Sequence, residues 1–257
     1  MSGKIDNWMD AMVQRRALAR WRAAAETAET LDPARLRALR GEARQLQRAL
    51  GQFTHVADGR LALPMIGSSA MRKPASADWA WRPGIWRGPL ARPGLAAVAS
   101  ETGFGDGATL FHDCTTNELS LRQIRNRREA DLAPYGLRLD VFRFDGSFLS
   151  LVLELPAEAA QGLTRRHVIR MDATVEKERP LEIFARLNVK HGPNVEQIVR
   201  ELPRDATEVM IEFDLAYTKM NEKRVDKLWV DLIFEGPEMN QVTWRDVTFC
   251  RRPRADL

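Results

Sequence analysis

From about residue 98 to the C-terminus the chain reads as one short strand after another with no sustained helical pattern between them, and nothing else restricts its fold so strongly. Leu137, Leu139 and Val141 alternate with polar neighbours, and Leu149, Leu151, Leu153 and Leu155 do the same before Pro156 ends the run. Further strands are predicted over 167–175, 181–189, 195–202, 208–216, 228–235 and 241–249. Val209, Ile211, Phe213 and Leu215 give the cleanest one-faced alternation, with Glu212 and Asp214 on the other face. Asp145-Gly146, Gly192-Pro193-Asn194 and Gly236-Pro237 supply turn chemistry between apolar runs. Half-solvated antiparallel strands in this number predict a β-sandwich, with a jelly roll as first choice. Residues 117–132 stay open, because Thr115 and Glu118 have the spacing of a capping box and would suit a helix on the approach to the sandwich.

The N-terminal part has a different period. Residues 4–29 read as a helix, with Ile5, Trp8, Met12 and Ala19 close to one face. Asp32 before Pro33 is an N-cap followed by proline at the first helical position, so a second helix is predicted to start there and run to Leu50. Leu36, Leu39, Ala43, Leu46 and Leu50 recur at spacings of three and four, the seam of a short coiled coil or helical hairpin. A seam this short is marginal alone and needs a partner surface. From Pro64 to Gly94 five prolines and four glycines interrupt any regular element, yet Trp79, Trp81 and Trp86 lie inside the stretch. Disordered linkers are poor in aromatics, so this arm is expected to be pinned against a surface: the chain's own sandwich, a neighbouring subunit or a sugar. The expected organisation is therefore mainly β with N-terminal α: a helical segment over 1–54, an extended Pro/Gly/Trp-rich arm over 55–97, and an antiparallel jelly-roll-like β-sandwich over 98–257.

Charge follows the same division. Residues 1–100 hold sixteen Lys/Arg against eight Asp/Glu, and the remainder twenty-three against twenty-seven. A split of this kind suggests different partners for the two halves, or simply an arginine-rich solvated helix face. No run approaches the ~20 apolar residues of a membrane span, and the opening MSGKIDNWMD carries acids where a signal peptide is apolar, so synthesis in the cytoplasm is expected. Cys114 and Cys250 form neither a metal spacing nor a disulfide framework and read as core filling.

The sequence holds no phosphate-binding loop, dinucleotide fingerprint, nucleophile elbow or zinc cluster, and no cofactor is expected. In His112-Asp113-Cys114, adjacent strand residues point to opposite faces and cannot act as a triad. Asn117-Glu118 and Asn221-Glu222 carry the dipeptide that many sugar hydrolases use for a catalytic acid, and Glu176 with Glu178 share a strand face that would suit calcium. A solvated polar face explains each equally well. Arg251-Arg252-Pro253-Arg254 lacks interleaved aromatics, so direct nucleic-acid binding is not expected.

The stretches GRLALPMIGS (59–68), DWAWRPGIWRGPL (78–90), NRREADLAPYGLRLDVFRFDGSFLSL (126–151), RPLEIFARLNVKHGPNVEQIVREL (179–202), LIFEGPEMNQV (232–242) and RDVTFCRRPRA (245–255) carry a likeness over nearly the whole chain. It resembles a family of uncharacterised alphaproteobacterial proteins, and looks like the head spike base proteins of gene transfer agents, phage-like particles that carry packaged host DNA. That resemblance implies a homo-oligomer of five copies on the capsid vertices of a released particle. It implies two partners, the major capsid protein and a head spike fibre protein that engages capsular polysaccharide. It supplies no catalytic residues.

The expectation is thus a non-catalytic particle adaptor, anchored to capsid or neighbouring subunits through Trp8, Trp21, Leu36, Leu39, Leu46, Trp79, Trp81 and Trp86. Contact with a glycan or fibre is assigned to Trp244, Asn194, Asn221 and Glu222. The rival is a stand-alone carbohydrate-binding sandwich in which Trp81, Trp86 or Trp244 stacks on a sugar ring. A third reading is a glycan-cleaving enzyme using Glu222 or Glu118.

Overall fold

A computed structural model describes residues 2–61, 71–116 and 118–254; the side chains of residues 2–11, 55 and 58–61 fall outside the description, Trp8 among them. The chain divides into two compact units, Met1–Val56 and Ala57–Leu257.

The first unit is a helical hairpin. Helix α1 spans Ser2–Glu26, and helix α2, spanning Pro33–Leu61, continues past the expected end at Leu50. The start is as the sequence predicts: Asp32 Oδ2 accepts from the amides of Ala34 and Arg35, satisfying two of the donors that a helix start leaves free. An ion pair between Arg20 and Glu42 ties the helices together across the turn.

The second unit is an antiparallel sandwich of two sheets. Its strands are β1 (Trp79–Trp81), β2 (Gly94–Ala96), β3 (Thr102–Gly103), β4 (Ala108–His112), β5 (Leu119–Arg125), β6 (Tyr135–Val141), β7 (Leu149–Glu154), β8 (His167–Lys177), β9 (Glu182–His191), β10 (Asn194–Glu201), β11 (Glu208–Asp214), β12 (Val225–Glu235) and β13 (Asn240–Pro253). The first sheet has the order β11-β8-β13-β6-β5-β2, with β1 also paired to β13. The second has the order β10-β9-β12-β7-β4-β3. From β6 onward the chain repeatedly crosses between sheets, as jelly rolls do, and only β9 and β10 form a hairpin within one sheet. Their two-residue turn puts Gly192 at φ 60°, the left-handed conformation that the first central position of a type II′ turn demands.

Period-2 parity builds the core. Leu137, Leu139, Ile169, Met171, Phe213, Trp244 and Phe249 from the first sheet meet Leu151, Leu153, Ile183, Leu187, Val230, Leu232 and Phe234 from the second, all buried. The helix considered for 117–132 is instead the strand β5 followed by turns. Thr115 does not cap it, because its hydroxyl and amide both bond the Asp145 carboxylate.

A bulge in β13 between Trp244 and Asp246 marks where that strand passes from β6 towards β1. Asn126, buried, holds the bulge by donating to the carbonyls of Ala133, Tyr135 and Arg245. Gly136 is required there, since a Cβ would come within 2.9 Å of the Trp244 carbonyl oxygen.

Candidate functional site

The seam on α2 is the first candidate. Of its residues only Leu39 is buried and Ala43 half-buried; Leu36, Leu46 and Leu50 are exposed, and the series continues into Phe53 (71% exposed) and Val56. Val13 and Leu18 on α1 are exposed as well. Trp21 is half-buried beneath the Arg20 guanidinium, 5.2 Å from its ring centre. An apolar row therefore stays in water on the hairpin.

The arm is in the opposite state. Trp86, in the short helix α3 (Gly84–Arg87), is fully buried and donates its Nε1 proton to the Trp244 carbonyl at 2.9 Å. Trp81 is half-buried and stacks on Phe249 with ring centres 6.1 Å apart, and Trp79 packs partly buried against the same core. Between them Arg82 forms a bidentate pair with Asp246, both contacts 2.8 Å, at a buried position. Burial raises the Asp246 pKa, with Arg82 pulling the other way. These tryptophans are spent on the chain's own sandwich, which removes Trp86 from both the anchoring and the sugar-stacking roles.

Trp244, assigned to glycan contact, is also fully buried, edge-on to Phe234. Parity puts it in the core beside Val242, and the bulge after it breaks the simple alternation. The other three assigned residues do come together at one end of the second sheet. Asn194 pairs with His191 across the β9–β10 turn, the Asn221 amide donates to His191 Nδ1 at 3.2 Å, and Glu222 follows, accepting from the Arg165 amide at 2.7 Å. All three are exposed.

The two outward faces of the sandwich differ in kind. The first sheet's is tiled with ion pairs: Arg170 with Asp172 at 2.6 Å, Arg252 with Glu212 at 2.9 Å, Arg138 with Asp140 at 3.0 Å, and Arg72 with Glu208 at 2.6 Å. A cleft of about 250 Å³ lies among Arg72, Arg170, Asp172, Thr174, Glu208 and Asp246. Its charges are matched, and the Arg72 pair holds Glu208 below the usual carboxylate range.

On the second sheet strand register sets the outward side chains in rows. One runs Phe111, Ser150, Ile233, Phe184 and Glu201; the next Thr109, Val152, Asp231, Arg186 and Val199; a third Glu154, Trp229, Asn188 and Gln197. Asp231 Oδ2 accepts from Arg186 Nε at 2.8 Å and from Asn188 Nδ2 at 3.0 Å, while Gln197 donates to Asn188 Oδ1 at 2.9 Å. Asp231 and Asn188 are buried beneath their neighbours; Trp229 is half-exposed and Val199 exposed. This face escaped the sequence reading. Its signal was available, because Leu228, Val230, Leu232 and Phe234 point inward and parity sends Trp229 out.

The remaining sequence candidates have structural employment. His112 Nε2 lies 2.9 Å from the Val98 carbonyl, Asp113 accepts from the amides of Ser147 and Phe148, and the Cys114 thiol donates to Asp145 at 2.8 Å. Hydrogen bonds, first from Cys114 and then from Thr115, hold Asp145 far below the ordinary carboxylate range. Burial pushes the Cys250 thiol up to about 11. Glu176 pairs with Arg245 and Arg128, and among the described residues no group of three or more potential ligands could hold a metal. Arg251, Arg252 and Arg254 bond Asp78, Glu212 and Asp214. Glu118 is exposed. No helix among the described residues is long and apolar enough to cross a membrane.

A family model described as a family of unknown function, DUF6478, matches residues 1–257. No curated protein matches the sequence. Similar solved structures include the enzymatically active domain of bacteriophage CBA120 tailspike protein 4, with TM-score 0.40, 7% identity, and 56% of this chain covered but only 19% of that one. They also include the Clostridium thermocellum family 11 carbohydrate-binding module in complex with a mixed-linked tetrasaccharide (TM-score 0.39, 10% identity, 61% and 96% covered). A third is the CBM22-1 xylan-binding domain of Paenibacillus barcinonensis Xyn10C (TM-score 0.36, 11% identity, 65% and 100% covered). Likenesses this distant carry no argument about what this chain binds.

Proposed function

The chain belongs to the DUF6478 family, to which no activity is assigned, and we propose that it is a non-catalytic adaptor in which the hairpin assembles and the sandwich presents a binding surface. The observation that carries this is the exposed seam Leu36, Leu46, Leu50 and Phe53 on a hairpin that stands as a unit of its own. A two-helix hairpin covers only part of its own apolar seam, and closed cyclic symmetry is the economical way to cover the same patch on every copy. The finer form of the proposal follows the resemblance: a head spike base on the vertices of a phage-like particle, five copies per vertex, bound to the major capsid protein and holding a spike fibre. Synthesis in the cytoplasm followed by release within the particle belongs to the same proposal.

Mass spectrometry of a density-purified particle fraction beside the soluble fraction of the same cells tests it. Enrichment at a fixed ratio to the major capsid protein is expected. Absence from particles would remove the particle role.

A second reading, a carbohydrate-binding sandwich, is favoured by the Trp229 face of the second sheet. It is no longer carried by Trp86 or Trp244, which are buried. A glycan array probed with the full chain tests it, with binding by at least one glycan expected.

A further inference from the structure

We propose that the outward face of the second sheet is a platform for a neutral polysaccharide chain lying across strands β4, β7, β12, β9 and β10. Five strands spaced by ~4.8 Å give a track roughly 19 Å long, enough for several sugar units. The half-exposed Trp229 ring offers an apolar plane to the C–H face of a sugar.

In the same and the adjacent row stand an amide pair, a carboxylate and a guanidinium, already ordered by one another through Gln197–Asn188 and Asn188–Asp231–Arg186. Gln197 and Arg186 reach the surface while the buried Asn188 and Asp231 hold them in place, and groups fixed before binding lose little entropy on meeting hydroxyls.

Charge selects the class of ligand. Arg186 is matched by Asp231 at 2.7 Å and Lys227 by Glu154 at 2.9 Å, and the further outward cation Lys190 is outnumbered by Glu182, Glu201 and Glu235, so the face lacks the cationic surplus that a polyanion would need. The ion-paired face of the first sheet presents no aromatic plane on β8, β11 and β13: its outward residues there are charged groups, threonines, Gln241, Val168, Met210 and Cys250.

This assignment rests on the glycan-contact reading above and is independent of particle membership. The test is affinity electrophoresis of the full-length chain in gels containing mixed-linkage β-glucan, xylan, galactan or the polyanion alginate. Retardation by at least one neutral polysaccharide is expected, weakened at least about tenfold by Trp229→Ala and by Gln197→Ala, partly kept by Trp229→Phe, and unchanged by Met210→Ala on the other face. Thermal melts establish that each variant is folded. Neutral-polysaccharide binding that survives Trp229→Ala in a folded protein would overturn the platform and leave the glycan reading standing elsewhere. Retardation by alginate alone, lost with salt, would overturn the neutral class. No retardation in any gel would overturn both.

Discussion

The two N-terminal segments, the hairpin and the arm, are both rich in arginine and large apolar side chains, yet they end in opposite states. Three of the arm's large side chains turn to the sandwich: Trp86 is fully buried, Trp81 stacks on Phe249, and Arg82 enters a buried pair with Asp246. The hairpin keeps Leu46, Leu50 and Phe53 in water. The tryptophans of the irregular segment complete the chain's own fold, while the leucines of the regular helix stay in water. The sequence leaves the arm open between the chain's own sandwich, a neighbouring subunit and a sugar, and burial decides for the sandwich at Trp86.

The comparison breaks most visibly at the strap. Arg82→Ala leaves Asp246 buried without its partner and should cost about 3–5 kcal/mol. Trp86→Ala, which opens a cavity and orphans the Trp244 carbonyl, should cost a similar ~3–5 kcal/mol; urea unfolding of either variant measures the loss. The corresponding change in the hairpin, Phe53→Ser, should leave the sandwich's melting transition within about 0.5 kcal/mol while weakening self-association. A large loss of fold stability from Phe53→Ser, or a negligible one from Arg82→Ala, would erase the distinction.

A smaller effect sharpens it from the sandwich side. Asp113 and Asp145 both sit below the ordinary carboxylate range, Asp113 chiefly through the Ser147 hydroxyl and Asp145 chiefly through the Cys114 thiol. Their folded pKa values lie below the unfolded ones, so the folded state binds fewer protons. The stabilisation is fully present above about pH 4 and fades as pH falls through the folded values. Asp145→Asn should lower stability at neutral pH and flatten part of the loss below about pH 4, as circular dichroism along an acid titration would record.

Most of the β architecture was legible because parity is a local signal: β8, β9, β11 and β12 were placed to within a few residues. The short strands β2 and β3 span two or three residues and have no period to read. The stretch that holds β5 admits a helical reading because the Thr115–Glu118 spacing imitates a cap, and the structure shows Thr115 engaged by Asp145 instead. The burial of Trp244 was hidden by the bulge after it, which shifts parity midway along β13. The Arg186–Asp231–Asn188–Gln197 network was out of reach, since it joins three strands whose register is set by the whole sheet. Trp229 alone could have been found, as the outward member of an inward-alternating strand.

Sedimentation velocity of the full chain beside a Leu46→Ser, Leu50→Ser, Phe53→Ser triple variant puts the adaptor reading at risk. A discrete closed oligomer for the wild type and a 29.2 kDa monomer for the folded variant is the expected pair of results. A wild type that stays monomeric at micromolar concentration, or a variant that sediments like it, would contradict assembly through the hairpin.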